Sequence, residues 1–141
     1  MDAFNIQLDG GAKMPSKAHG ADAGYDLYSR ENLTIKARGS AVFDTGVHIE
    51  IPRGFKGEIV GRSGLNIKCG VICPTGTVDS GYTGSICVKL YNMANTEYPV
   101  MKGDKIAQII FVPIASPKLI RVNQIETETD RGDKGFGSSG R

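Results

Sequence analysis

Glycine and proline interrupt this chain so often that no segment sustains an apolar period long enough for a helix of several turns. Nineteen glycines and six prolines are spread over 141 residues, and there is no tryptophan. Glycine reaches positive φ at little cost, and proline presets a turn while withdrawing a donor from any ladder. The segments between such breaks are of strand length, and several alternate apolar with polar residues. That pattern predicts an all-β domain of short strands joined by tight turns. A chain of this length buries about two thirds of its unfolded surface in one core and does not divide into two.

Strands are expected around Phe4–Leu8, within Ala23–Ser29, and over Leu33–Ala37, Ala41–Asp44, Val47–Ile51, Phe55–Val60, Ile106–Val112 and Ile120–Ile125. Leu65–Gly70 is the one expected helical turn, and Pro99–Lys105 reads as a loop. Thr127–Arg141 is polar and glycine-rich with a single aromatic, Phe136, so residues 1–126 form the β domain and 127–141 a flexible arm.

The stretch Thr75–Asn92 carries the most chemistry. Ile86, Val88 and Leu90 alternate with Cys87, Lys89 and Tyr91 as a half-buried strand does. Ser80-Gly81 signals a tight hairpin, flanked by the Asp79 carboxylate and the Tyr82 ring. Gly76, Gly81 and Gly84 bare the backbone, so a flat ligand can lie against main-chain donors and acceptors. An Asp before a turn more often makes a local bond, and a Tyr there more often caps a core edge. In G-R-S-G-L, Arg62 offers a fork of donors and Ser63 a hydroxyl between glycines, a local arrangement suited to phosphate. A surface Arg beside a turn is the alternative. Gln108, alone in an apolar strand, is either satisfied in the core or faces a site. Asp26 is either a solvated strand carboxylate or the partner of a cation. In the arm, Phe136 can cover a flat ring while Arg131, Ser138 and Ser139 reach phosphates.

Other features narrow the class. A net charge of +2 with scattered cations provides no broad basic face for nucleic acid. Ile109–Ala115, the longest apolar run, is too short for a membrane span, and the start lacks a secretory pattern, so a cytoplasmic protein is expected. Cys69, Cys73 and Cys87 form no C-x-x-C pair and read as reduced small hydrophobes. His19 and His48 lack ligand spacing, and His48 reads as a polar partner within its strand. Asn32-Leu33-Thr34 and Arg131-Gly132-Asp133 match an acceptor and an adhesion motif that need an extracellular setting.

In their order and spacing, A-G-Y-D-L-Y-S, G-R-S-G-L, G-T-V-D-S-G-Y-T-G, G-D-K-I-A-Q-I-I-F and R-G-D-K-G-F-G-S-S-G resemble the trimeric deoxyuridine triphosphatase (dUTPase) family along nearly the whole chain. The resemblance implies a jelly-roll-like β fold, a homotrimer with shared sites, Mg²⁺, and hydrolysis of dUTP to dUMP and pyrophosphate. It assigns Asp79 to deprotonating the attacking water and Tyr82 to packing on the deoxyribose. Backbone at Gly76, Thr77, Val78 and Cys87 reads uracil. Arg62, Ser63, Gly64 and Gln108 hold phosphates, Asp26 reaches the metal through water, and Arg131, Phe136, Gly137 and Ser138 close the lid. Gly81 departs from the family pattern, which has a second Asp there. The related dCTP deaminases place a catalytic glutamate ten residues after the Asp, where this chain has Lys89. A lysine cannot be that carboxylate. A catalytically silent, partner-binding relative is the other reading, and retention of Asp79, Tyr82, Arg62 and the tail argues against it.

Overall fold

A computed structural model describes residues 3–140 of the chain. Eleven strands are present among the described residues: β1 Ile6–Leu8, β2 Tyr25–Tyr28, β3 Leu33–Ile35, β4 Ser40–Asp44, β5 Val47–Ile49, β6 Phe55–Val60, β7 Val71–Ile72, β8 Gly76–Val78, β9 Cys87–Asn92, β10 Tyr98–Val100 and β11 Lys105–Pro113. One wide helical turn of π type, Leu65–Cys69, follows directly from helical Ser63 and Gly64 and ends at Gly70 in the left-handed region. The all-β expectation holds, as a jelly-roll-like sandwich.

A four-stranded sheet in the order β2-β11-β6-β8 and a three-stranded sheet β4-β9-β7 supply the main layers, with β1-β5 and β10-β3 as two-stranded ribbons. Their inner faces supply one core. Leu27, Ile59 and Ile109 come from the first sheet and Phe43, Val88 and Leu90 from the second, all nearly inaccessible to solvent. Glycine has a packing role at Gly57, within β6, where a Cβ would come within 2.9 Å of the Ile109 side chain and 3.0 Å of Ile51. Asn92 is the buried polar anchor. Its amide donates to the carbonyls of Ile35, Lys36 and Thr96, and its oxygen accepts from the Ala94 N–H.

Three expectations are corrected. Tyr98–Val100, inside and just before the expected loop, is a strand paired with β3, with Pro99 opposite Thr34. Proline is tolerated there because β10 lies at an edge and that position need not donate. Ile120–Ile125 forms no strand: Ile120 is 73% and Ile125 78% exposed, because apolar residues there find no ladder among the described residues to join. The hairpin expected at Ser80-Gly81 is a turn without a hairpin. Tyr82 N–H donates to the Asp79 carbonyl at 3.2 Å, but β8 pairs with β6 while β9 pairs with β4 and β7. The segment from Asp79 to Ile86 therefore crosses from one sheet to the other. Residues 1, 2 and 141, at the ends of the expected domain and arm, lie outside the described residues.

Candidate active site

Because β8 and β9 diverge into different sheets, a cleft of about 450 Å³ opens between them. Gly76, Thr77, Val78, Asp79, Tyr82 and Cys87 line it, as do Ser85, Lys89 and Tyr91. Gly81 has φ 86°, so this turn position needs a residue that accepts the left-handed region. The Tyr82 ring folds back over its own loop, where its hydroxyl donates to the Ser85 carbonyl at 3.0 Å. Gly84 makes that possible, since a Cβ there would collide with the Tyr82 hydroxyl. Tyr82 is 47% exposed.

Residues elsewhere in the fold fix the loop. Thr45 donates to the Ile86 carbonyl through its N–H at 3.0 Å and its hydroxyl at 2.6 Å. Ser85 donates to Asp44, and this bond, the Gly46 N–H and Arg30 hold the Asp44 carboxyl below its ordinary value. His48 donates through Nδ1 to the Thr83 carbonyl at 2.8 Å. Partial burial pushes the thiols of Cys73 and Cys87 up, so they stay protonated at neutral pH, in line with their reading as small hydrophobes.

A second cleft, of about 260 Å³, is lined by Asp26, Arg62, Ser63, Gly64, Lys105 and Gln108. Three adjacent strands build it. Gln108 on β11 stands opposite Asp26 on β2 and opposite Val60 on β6, just before Arg62. Gln108 Nε2 donates to the Gly61 carbonyl at 3.2 Å, which resolves its two readings in favour of a satisfied amide that also faces a site. Gly24 must lack a side chain for this, because a Cβ there would lie 2.5 Å from the Gln108 amide oxygen. Asp26 is paired on both sides, with Arg62 Nε at 3.3 Å and Lys105 Nζ at 2.8 Å. Lys105, expected at the end of the Pro99–Lys105 loop, is instead the first residue of β11, where simple alternation would put it on the face opposite Gln108. A register shift between Lys105 and Ala107 turns it onto the same side, and the consecutive buried residues Ile106 and Ala107 are the trace of that bulge.

The two clefts share no lining residue. Val78 pairs with Gly57 near the start of β6, whereas Arg62 lies just beyond its end. About five residues of extended chain, roughly 16 Å, separate these positions along the strand. The described residues of the arm join neither cleft: Arg131 Nε donates to the Lys134 carbonyl at 2.8 Å, and Phe136 is fully exposed. Among the described residues no group of three or more His, Cys, Asp or Glu side chains could by itself hold a metal ion.

A sandwich with one cleft edged by main chain, a carboxylate and an aromatic ring, and another edged by cations and glycines, is of the nucleotide-handling all-β class. The dUTPase family model matches residues 11–140. The chain is 44% identical to the deoxyuridine 5′-triphosphate nucleotidohydrolase of Fowlpox virus, over 92% of this chain and 90% of that one. It is 38% identical to the protein of the same name from Saccharomyces cerevisiae, over 97% and 94%. Its fold is similar to that of the dUTPase of Staphylococcus bacteriophage 80alpha, solved with dUPNHPP, at a TM-score of 0.94 and 31% identity over 100% of both chains. The chain belongs to the dUTPase family.

Proposed function

We propose that the protein is a dUTP diphosphatase that converts dUTP and water into dUMP and pyrophosphate. The observation that carries this is the cleft between diverging β8 and β9, where Asp79 and Tyr82 stand beside bare main chain, in a member of the dUTPase family. Main-chain groups of Gly76, Thr77 and Val78, with those of Cys87, pair with the uracil edge, and the Tyr82 ring packs on the deoxyribose where a 2′-hydroxyl would clash. Asp79 accepts the proton of the attacking water. The new bond forms between that water oxygen and the α-phosphorus, and the bond from that phosphorus to the bridging oxygen breaks, so pyrophosphate leaves. Arg62, Ser63, Gly64 and Gln108 hold phosphate oxygens.

The donor set fits a magnesium ion carried in with the triphosphate. Mg²⁺ keeps several waters and is held by one or two carboxylates together with phosphates, and the phosphate cleft offers two, Asp26 and Asp22. Asp26 would hold it through water, and the ion would neutralise phosphate charge. A phage phi11 dUTPase of S. aureus, 29% identical over 87% of this chain, is described as coordinating a structural Mg(II) ion.

Separation of the two clefts on one chain supports a homotrimer in which Arg62 and Gln108 come from one subunit and Asp79 with Tyr82 from a second. The arm of a third then brings Arg131, Phe136, Gly137 and Ser138 over the nucleotide as a lid on the β domain of residues 1–126. No helix of the described residues is long and apolar enough to cross a membrane, and we place the protein in the cytoplasm. A relative from Dictyostelium discoideum is named as mitochondrial. Lys89 lines the Asp79 cleft where a deaminase needs its glutamate, which favours hydrolysis. Pyrophosphate release with dUTP, dTTP, dCTP and UTP side by side tests the reading. dUTP should be turned over far ahead of the others, and release of ammonia from dCTP or silence toward dUTP would overturn it.

A further inference from the structure

His48 stands on β5 with both ring nitrogens facing acceptors. Nδ1 lies 2.8 Å from the Thr83 carbonyl and Nε2 lies 3.0 Å from Asp9 Oδ2. A neutral imidazole has one N–H and can satisfy only one of the two. We propose that His48 is a positioning residue that holds the Tyr82-bearing loop in place as an imidazolium, and releases the Thr83 end of that loop when it loses its proton. The proposal rests on the reading of Tyr82 as the deoxyribose contact.

The direction of release follows from acceptor strength. A carboxylate is the stronger acceptor, so the remaining proton stays on Nε2 toward Asp9, and the Nδ1 lone pair then meets the Thr83 carbonyl oxygen. Asp9 sits in a fixed turn, its N–H donating to the Gly46 carbonyl at 2.8 Å and its own carbonyl accepting from Ala12 at 3.0 Å. The charged groups around the ring are known. Asp44 lies at the end of β4, already paired with Arg30 at 3.1 Å and bonded by Ser85. Glu50 accepts from Asn5, and Arg53 shares with His48, Ser80 and Tyr82 a cleft of about 650 Å³ on the outer side of the loop. The Thr83 bond first, then Asp9 and Asp44, raise the imidazolium's pKa above the ordinary histidine value. Folding therefore favours the charged ring. Its contribution is complete below the unfolded value near 6.5 and fades as pH rises through the raised folded value. The charged form thus persists to higher pH than in an ordinary histidine.

The test compares wild type, His48→Gln and Asp9→Asn, with kcat and KM for dUTP measured from about pH 5.5 to about pH 9, alongside an NMR titration of the imidazole signals. In wild type, KM should rise about three- to tenfold on passing through the His48 titration, with kcat moving less, the effect of one charge-assisted bond at a partly exposed site. His48→Gln, which does not titrate, should lack that step, and the ratio of the two KM profiles isolates it from the titration of substrate phosphate. Asp9→Asn should move both the imidazole signal and the KM step to lower pH together. A wild-type to His48→Gln KM ratio that stays constant across the range overturns the proposal, as does an imidazole that titrates at its ordinary value in wild type. Failure of wild type to hydrolyse dUTP would instead overturn the functional reading, so the two failures are distinguishable.

Discussion

The loop from Asp79 to Ile86 and the arm from Arg131 to Gly140 look alike as sequence: each is rich in glycine, each carries one aromatic residue, and neither contains a strand. In the structure they are opposites. Carbonyls of the loop at Thr83 and Ile86 are each taken by a residue far along the chain, His48 and Thr45, and Ser85 is tied to Asp44. Bonds of the arm stay local: Ser138 to Gly135, Gly140 to Gly137, Lys134 to Arg131. Its aromatic, Phe136, has positive φ and touches nothing that would bury it. Composition cannot distinguish the two cases, because what differs is whether outside groups satisfy the polar backbone. A loop held this way is preorganised before ligand arrives. An arm without such ties is free to order on a ligand, and its ordering then costs conformational entropy.

The sharpest way to break the comparison is to disable each region chemically while leaving its fold alone. Asp79→Asn removes proton acceptance from an exposed, isosteric position, so kcat should fall by about 10²-fold or more while the melting temperature holds. Turnover within a few-fold of wild type would remove Asp79 as the base. Truncation after Thr129 should lower kcat/KM by about tenfold or more if the arm positions the bound triphosphate as proposed. The melting temperature of the ligand-free protein should stay within about 2 °C, as expected for a segment with only local bonds. Unfolding these two variants together and refolding them in equal amounts sharpens the test. In a cyclic trimer with shared sites about a quarter of all sites regain an intact loop and an intact arm. No recovery would place loop and arm of one site on the same chain.

Much of this was legible because local chemistry dominates it. The Ser80-Gly81 turn, the strand Phe55–Val60 and the helical turn after Arg62 are each set by residues within a few positions. The failures share a cause of another kind. Whether β8 and β9 pair with each other is decided by which edges β6 and β4 offer, and no spacing within Thr75–Asn92 encodes that. Lys105 reads as the end of a loop because a bulge breaks the alternation there, Pro99 masks the strand Tyr98–Val100, and Ile120–Ile125 reads as a strand because alternation reports a suitable surface and says nothing about a partner. The anchors of the loop lie thirty-five or more residues away, beyond the reach of any local motif.

Loosening the loop at its best-buried anchor should bring it toward the arm's behaviour. Thr45 is 1% exposed, and its hydroxyl both donates to the Ile86 carbonyl and accepts from the Val47 N–H at 3.2 Å. Thr45→Val keeps the shape and leaves the Val47 N–H without its partner. Urea unfolding should show a loss of about 1–2 kcal/mol, and KM for dUTP should rise by a few-fold. Unchanged stability would mean that the main-chain bond from Thr45 to Ile86 suffices alone.

The smallest effect expected is an acid one, and it separates the regions without any mutation. Ser85 foremost, then the Gly46 N–H and Arg30, hold the Asp44 carboxyl below its ordinary value of 3.8. A depressed folded value means that the contribution is complete above the unfolded value and is lost as pH falls through the folded one. Asp44 is half exposed, so water screens the pair and the stability change itself is slight. Its local trace is clearer: on acidification below about pH 4, the Ser85 and Ile86 amide signals should shift together with the Asp44 carboxyl, at a midpoint below that of an ordinary aspartate. Amides from Gly135 to Gly140 have no bond to any residue of that anchor, so they should not follow Asp44. Asp44→Asn should abolish the step in the loop and leave the arm as it was. If Ser85 and Ile86 ignored the titration of Asp44, the tie between carboxylate and loop would be absent in solution, and the contrast between a fixed loop and a free arm would rest on Thr45 and His48 alone.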